Sequence, residues 1–354
     1  MASSVRKYAF INAKLRARIS KLIPDTLFQQ MMRVGSLEEA LALLRDTPYS
    51  IIDETYAKTG DLKLGELELL KEEVSLHTEI EKYVKDDVLR LVQALMLGYE
   101  IENLKNAVRI FFDRKIRKRE GDDSHLYILR QKIVHDFSVD MVINAENIEE
   151  IVKSLENTPY SPLLSRHSEE ILREGSLFIF EVSLDHFYYR NLLETAEHMH
   201  SRDRKDSLRI IGIEIDLHNV DWIIRFRRFY DLSLEQVLSL IIPGGFQLSE
   251  ELLSQTYSSQ GVGKIVQGMV RSHPGLSTIV NSQAADSISR LLLVERLLEQ
   301  IMLYEIKRIL TGYPFTIGII LSYFLLKHRE INKVKAILNA KQYHLPEEQI
   351  LGIV

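Results

Sequence analysis

A pattern of fifteen residues occurs twice in this chain. It is first Ser36-Leu-Glu-Glu-Ala-Leu-Ala-Leu-Leu-Arg-Asp-Thr-Pro-Tyr-Ser50 and then, 111 residues later, Asn147-Ile-Glu-Glu-Ile-Val-Lys-Ser-Leu-Glu-Asn-Thr-Pro-Tyr-Ser161. Each copy opens with a residue that caps helices, and a glutamate follows three positions later. Apolar residues then recur at helical spacing, and the proline ends the helix because the residue before it avoids helical angles. The pattern predicts duplicated helical segments, with a degraded third copy from Val262 to Pro274.

A second element occurs three times, at Glu100–Arg109, Asp216–Arg225 and Glu330–Asn339. Each copy has an acid, two further residues, Asn or Lys, and then apolar residues at helical intervals. The copies are 116 and 114 residues apart, so each unit is about 115 residues long. We therefore predict an all-α chain of three similar helical-bundle repeats with pseudo-threefold symmetry, closed around an axis or strung in an arc. The predicted repeats are residues 1–123, 124–245 and 246–354.

Short local patterns refine this prediction. The apolar runs at residues 139–143 and 177–182 are compatible with strands, but we predict helices because their neighbours are helical. Ser233 and Gln236 form a capping pattern, and the Pro243-Gly244-Gly245 tripeptide is predicted to end that helix with a left-handed glycine.

Composition excludes several classes of function. A net charge of −5 is unlike that of nucleic-acid binders, and the absence of cysteine excludes disulfides, iron–sulfur clusters and thiolate zinc sites. Met1–Phe10 has no apolar segment of signal-peptide length. The longest apolar run, Phe315–Leu326, is much shorter than the roughly 20 residues of a spanning helix. We predict a core helix there, with any membrane association made through partners.

No motif selects a catalytic chemistry. His198 and His200 would point to different sides of a helix, so a solvated helix end is favoured over a metal site. The basic stretch Arg114–Arg119 is followed at once by acids, which favours a solvated connection over a nucleic-acid site. Phosphate-binding and nucleophile-elbow motifs are absent from the sequence. No catalytic residue, cofactor or metal is therefore expected.

The acids Glu100, Asp216 and Glu330 keep their register in all three copies. One interpretation is a helix N-terminal acid stabilised by the helix dipole, by up to about 1 kcal/mol. The other is that equivalent residues surround a pseudo-threefold axis and line a polar socket.

The C-terminal part of the chain carries the most specific signal. Tyr313-Pro-Phe-Thr-Ile-Gly-Ile-Ile-Leu-Ser-Tyr-Phe-Leu-Leu-Lys-His-Arg-Glu330 leads into Ile331–Lys341, and Leu345–Ile350 follows, with Pro346 placed for a first helical turn. This closely resembles the ending of the C subunits of V/A-type ATPases, which are called d subunits in eukaryotic enzymes.

Two other stretches support the resemblance, which covers essentially the whole chain. Tyr8–Arg18 is similar to the family's opening helix. Glu214–Arg225 and Ile242–Gly245 resemble its central signature. Lys333 departs from the pattern, because Asn is expected there by analogy with the other two copies.

The resemblance implies a funnel of three helical units that acts as a non-catalytic part of the central stalk on the cytoplasmic face of the membrane. Its base would rest on the cytoplasmic loops of the proteolipid rotor ring, and its mouth would receive the central shaft made by the D and F subunits. It would transmit rotation for ATP-driven ion transport or ATP synthesis, as one copy per complex and as a monomer when isolated. We expect the shaft socket to be formed by Glu100, Asn103, Asp216, Asn219, Glu330 and Lys333.

Two other functions remain open at this stage. A soluble helical-repeat scaffold for another protein partner has the same composition and would form an open superhelix. An enzyme ranks third, and a pocket holding titratable groups with strongly shifted pKa values would support it.

Overall fold

The computed structural model describes residues 2–119, 123–229, 232–257, 262–280 and 287–346. All regular structure in these residues is helical, which confirms the predicted all-α class. Two short 3-10 helices, Asp123–Tyr127 and Pro274–Leu276, accompany the α-helices. The α-helices are α1 (Ala2–Ile19), α2 (Asp25–Arg33), α3 (Leu37–Ala42), α4 (Ser50–Thr59), α5 (Leu62–Glu81), α6 (Asp86–Lys115), α7 (Val139–Asn144), α8 (Ile148–Ser154), α9 (Tyr160–Glu174), α10 (Phe178–Glu197), α11 (Ser201–Phe229), α12 (Leu234–Leu240), α13 (Glu250–Tyr257), α14 (Val262–Ser272), α15 (Ser277–Val280), α16 (Ser287–Thr311) and α17 (Gly318–Gln342).

The chain forms two compact units. The first contains residues 1–184 and 322–354, and the second contains residues 185–321. The chain passes from the first unit to the second within α10 and returns within α17. The division into three repeats, with the boundaries predicted from the sequence, stays a prediction.

One core of the first unit joins distant parts of the sequence. The second half of α17 packs against α2 to α5, and the side chains of Met31, Leu41, Tyr49, Val334 and Ile337 are at most 1% exposed. A helix near the end of the sequence therefore completes the core that the early helices begin.

The helix caps predicted from the repeated pattern are confirmed. The Glu39 amide donates to Ser36 Oγ at 3.2 Å, and the Glu150 amide donates to Asn147 Oδ1 at 2.9 Å. The glutamate side chain reaches back one residue further than a capping box requires, since Glu39 Oε2 accepts from the Gly35 amide at 2.8 Å.

The Thr-Pro-Tyr-Ser segments make matching turns in both copies. Thr47 Oγ1 donates to the Leu44 carbonyl at 2.7 Å and accepts from the Tyr49 amide at 3.1 Å. In the second copy, Thr158 makes the equivalent bonds, and its partner Tyr160 begins α9. The proline thus sits between two helices, and the tyrosine after it is held in a fixed place.

The second unit is centred on the packing of α11 against α16. Arg308 of α16 pairs with Asp206 of α11 at 2.9 Å, and it also pairs with Glu305 of its own helix at 2.7 Å. The predicted third copy falls on α14, where Ile265, Val266 and Met269 are buried and Val270 is half-buried; its kinship with the other two copies stays a prediction.

Other local predictions are also decided. Residues 139–143 are helical, as predicted, and the predicted run 177–182 is helical from Phe178, where α10 begins. The apolar run after Phe315 is the buried start of α17. Among the described residues, the helices are too short or too polar to cross a bilayer. The helical turn predicted after Pro346 lies outside the described residues.

Candidate functional site

The three acids in register lie deep within long helices. Glu100 is in the middle of α6, Asp216 in the middle of α11, and Glu330 in the middle of α17. The effect of a helix dipole is confined to the first and last turns, so the interpretation as helix N-terminal acids is wrong. All three side chains are buried, being at most 5% exposed.

Glu100 holds the loop that follows α6. Its Oε2 accepts from the main-chain amides of Val134 at 2.6 Å and His135 at 2.7 Å. Its Oε1 accepts from the Tyr160 hydroxyl at 2.7 Å and lies 2.7 Å from His135 Nδ1. Burial, together with the adjacent Glu100 carboxylate, raises the pKa of Tyr160 well above its ordinary value. The tyrosine therefore stays a neutral donor.

Two asparagines hold the same kind of loop one helical turn further along. Asn103 donates to the Leu129 carbonyl at 2.9 Å and accepts from the Leu129 amide at 3.0 Å. Asn219 makes the same two bonds to the main chain of Ile242, both at 2.8 Å. The acid and the asparagine together fix a loop at two points, which explains their spacing of three.

Asp216 holds the loop between α12 and α13 with a shorter side chain. It accepts from the amides of Phe246 at 3.0 Å, Gln247 at 2.6 Å and Leu248 at 3.2 Å. Burial raises the pKa of Asp216 to about 7, although the three amide bonds act in the opposite direction. Here the main chain supplies every described donor to the carboxylate.

Gly245 makes this close approach possible. A Cβ atom at this position would lie 2.1 Å from Asp216 Oδ1 and 2.9 Å from the Leu248 carbonyl oxygen. The sequence-based explanation, a glycine ending the preceding helix, is wrong because α12 already ends at Leu240. Gly244 has a positive φ of 100°, which favours glycine. Gly245 is needed for a different reason, because any side chain there would collide with the Asp216 carboxylate.

Glu330 reaches across the sequence to the segment before α2. It accepts from the Ile23 amide and from the Tyr49 hydroxyl, and Lys327 Nζ lies 3.4 Å away. Lys327 is buried, with 7% of the residue exposed, and its ammonium also donates to the Tyr49 hydroxyl at 2.7 Å. Burial raises the pKa of Tyr49, and the Glu330 carboxylate adds to the rise.

Lys333, which replaces the asparagine of the other copies, makes no equivalent clamp among the described residues. Its ammonium lies 5.5 Å from the centre of the Phe28 ring, a cation–π contact, and the residue is half-buried. The third copy therefore keeps the acid and changes the second anchor.

The structure brings the predicted residues together with partners that the sequence reasoning missed. The missed residues are His135, Lys327 and the tyrosines of the two Thr-Pro-Tyr-Ser segments. The tyrosines carried a signal, because the segment is repeated whole, but nothing in the spacing linked it to the acids.

A cleft of about 510 Å³ opens beside the Glu330 site in the first unit. Its lining includes Tyr49, Glu72, Glu73 and Lys327. Burial raises the pKa of Glu72. Burial also acts to raise the pKa of Glu73, but the combined interactions with His328, His77 and Tyr99 lower it. Tyr49 and Lys327 already bond to each other and to Glu330, so this geometry selects no reaction.

The two candidate sites set aside from the sequence have local partners. His198 Nδ1 lies 2.7 Å from the Glu194 carbonyl oxygen. In the basic stretch, Lys115 pairs with Glu146 at 2.6 Å and Arg117 with Asp113 at 3.1 Å. Among the described residues, His, Asp and Glu do not gather into a metal-binding cluster.

The chain is similar to known proteins over nearly its whole length. The C subunit of the A-type ATP synthase of Methanocaldococcus jannaschii is 22% identical over 366 aligned positions, which cover 100% of this chain and 88% of the relative. The corresponding protein of Pyrococcus horikoshii is 25% identical and covers 98% of this chain and 90% of the relative. That of Methanococcoides burtonii is also 25% identical, covering 99% and 94%.

The family model described as ATP synthase (C/AC39) subunit matches residues 11–353. This range includes all three acid positions and both Thr-Pro-Tyr-Ser segments. Because the match covers nearly the whole sequence, the chain belongs to the ATP synthase (C/AC39) subunit family.

Proposed function

We propose that this chain is a non-catalytic coupling subunit in the central stalk of a rotary V/A-type ATPase. It joins the shaft formed by the D and F subunits to the proteolipid rotor ring at the cytoplasmic face of the membrane. It transmits rotation during ATP-driven ion transport or ATP synthesis. The observation that carries the proposal is the family match over residues 11–353.

A part that transmits torque must not deform under load, and the buried anchors support such a role. Glu100 and Asp216 each accept several donors from a loop, so moving the loop would leave those buried donors without an acceptor. An unsatisfied buried donor destabilises by about 1–3 kcal/mol. Loops held in this way behave as part of the helical body.

The six predicted socket positions take an indirect part in this proposal. Five of them are buried in the chain and use their polar groups internally, and Lys333 is half-buried. We propose that the five buried residues shape the shaft socket by fixing the main chain they bond and that Lys333 contributes through its contact with Phe28, within three units arranged as a funnel. The assignment of these residues to a socket stays a prediction, as do the funnel and its repeat boundaries.

The direct test measures binding of the purified chain to the two proposed partners. Immobilised chain is exposed to the D–F complex, to the detergent-solubilised rotor ring, and then to both together. We expect each partner to bind and the two to bind at once. A folded chain that captured neither partner would overturn the coupling role, favour the scaffold alternative, and leave the family membership intact.

A matched pair of variants tests the socket assignment. Asn103→Ser removes the clamp on Leu129, whereas Asn106→Ser removes an exposed asparagine three residues further along the same helix. We expect the first variant to bind the D–F complex at least tenfold more weakly and the second to bind it normally. Equal affinities in two folded variants would remove the socket assignment without affecting the coupling role.

A further inference from the structure

Helix α1 is fixed in the first unit by its inner face. Tyr8, Ile11 and Leu15 are at most 1% exposed. Lys7 pairs with Asp87 at 2.7 Å and Lys14 with Glu79 at 2.5 Å. The opposite side of the helix is therefore held facing solvent.

The exposed side of α1 carries an unusual combination of residues. The Phe10 side chain is 62% exposed, and its ring lies 4.9 Å from that of Tyr83, which is also exposed. Three exposed alanines, Ala9, Ala13 and Ala17, lie on the same side of the helix as this ring. Their short side chains allow a binding partner to approach the helix backbone closely. We define the α1 outer face as Val5, Arg6, Ala9, Phe10, Ala13, Arg16 and Ala17 of the helix together with Lys21 in the turn directly after it, all of which are exposed.

The charge of this helix is opposite to that of the chain. The α1 sequence contains five Lys or Arg residues and no Asp or Glu, in a chain whose net charge is −5. The carboxylates that pair with α1, Glu79 and Asp87, are matched by Lys14, Arg18 and Lys7. Arg6 and Lys21 are exposed and form no ion pair with a described residue.

We propose that the α1 outer face binds the surface of an anionic lipid bilayer. Exposed cations are attracted to anionic headgroups, and an aromatic ring placed among them can enter the boundary between headgroups and acyl chains. Because the rest of the chain is net acidic, attraction to such a surface turns α1 toward it. In this proposal Phe10 enters the lipid surface, and the cations on either side of it, Arg6 and Lys21, contact the anionic headgroups.

This contact is separate from the coupling role and does not depend on it. It adds direct lipid binding to a chain whose described helices do not cross a membrane. The isolated chain is the material for the test, so failure to bind the D–F complex or the ring would not affect the outcome.

The experiment is sedimentation of the full chain with vesicles of two compositions. One set contains phosphatidylcholine alone, and the other contains phosphatidylcholine and phosphatidylglycerol in equal parts. We expect binding to the anionic vesicles only, weakening as salt is added. Absence of binding to anionic vesicles, or equal binding to both sets, would overturn the proposal and point to a protein as the occupant.

Variants with matched controls locate the contact. Arg6→Glu with Lys21→Glu is expected to weaken binding at least 25-fold, since each cation near an anionic surface contributes about fivefold. Lys58→Glu with Lys132→Glu makes the same charge change at exposed cations that do not belong to the α1 outer face and should have a much smaller effect.

The aromatic part of the contact has its own control. Phe10→Ser should weaken binding about tenfold, whereas Leu172→Ser removes an apolar residue of similar exposure, 50%, outside α1 and should not. Thermal melting should be unchanged in all four variants because the residues are exposed. Losses as large in the controls as in the α1 variants would contradict the assignment to α1.

Discussion

Glu100 in the first unit and Asp216 in the second perform the same task with side chains of different length. Glu100 reaches two loop amides and shares its carboxylate with a tyrosine and a histidine. Asp216 meets three consecutive amides of a loop that approaches much more closely. Aspartate is one methylene shorter than glutamate, and the loop main chain lies correspondingly closer to the helix that carries Asp216. That close approach requires a glycine at position 245.

The comparison separates what each copy of the motif keeps from what it varies. Each copy keeps a buried acid in mid-helix that accepts hydrogen bonds from a loop. The remaining donors differ: a tyrosine hydroxyl bonds Glu100 and Glu330, whereas every described donor to Asp216 is a main-chain amide. The three motifs therefore share the position of an acceptor and differ in the donors that reach it.

The largest effect is expected from Gly245→Ala, which puts a methyl group where the Asp216 carboxylate lies. The loop must move, and its amides lose their acceptor, so the free energy of unfolding should fall by about 4 kcal/mol. Urea denaturation measures the loss. Gly268→Ala on α14, where a Cβ would meet nothing within 4 Å, should instead stabilise by about 0.5–1 kcal/mol.

Glu100→Ala should lower the free energy of unfolding by about 3 kcal/mol, because two amides and the Tyr160 hydroxyl are left buried without an acceptor. Glu169→Ala removes an exposed carboxylate in the middle of α9 and should change stability by less than about 0.5 kcal/mol. Chemical denaturation of both variants provides the comparison. Similar values for the two would mean that Glu100 does not anchor its loop.

The pH dependence of stability tests the surroundings of Asp216. Burial raises its folded pKa to about 7, above the unfolded value near 4, so the folded state binds more protons between these values. Its contribution to stability is full below about pH 4 and is lost as the pH rises through 7. Relative to Asp216→Asn, the chain should lose about 2 kcal/mol of unfolding free energy between pH 5 and pH 7. Parallel denaturation curves at the two pH values would contradict the raised pKa.

The smallest effect is expected at Lys333, where the third copy departs from the pattern. Lys333→Asn removes the cation–π contact with Phe28, worth about 0.5–1 kcal/mol, and offers an amide for a loop clamp like that of Asn103. We expect stability to change by less than about 0.5 kcal/mol, measured by thermal melting. A loss above about 2 kcal/mol would show that Lys333 is an anchor in its own right.

Sequence periodicity was enough to predict the helical class and the caps of α3 and α8, because these depend on neighbouring residues only. It also found the acid positions, since the repeats keep them in register. Their surroundings were not predictable, because Glu330 bonds Ile23 and Tyr49, which lie about 300 residues earlier in the sequence. No local pattern encodes such a contact. The sequence also did not predict that the acids are buried. A buried carboxylate needs hydrogen-bond donors, and here these are loop amides whose positions depend on the whole fold.

The core shared by α17 and the early helices also affects how the chain is made. Met31, Leu41 and Tyr49 are synthesised long before Val334 and Ile337, against which they are buried. During translation, this apolar surface has no native cover until nearly all of the described chain has emerged. A nascent chain of this length is exposed to misassociation throughout that interval. Ribosome-bound intermediates halted before α17 should therefore recruit chaperones, and those carrying α17 should release them.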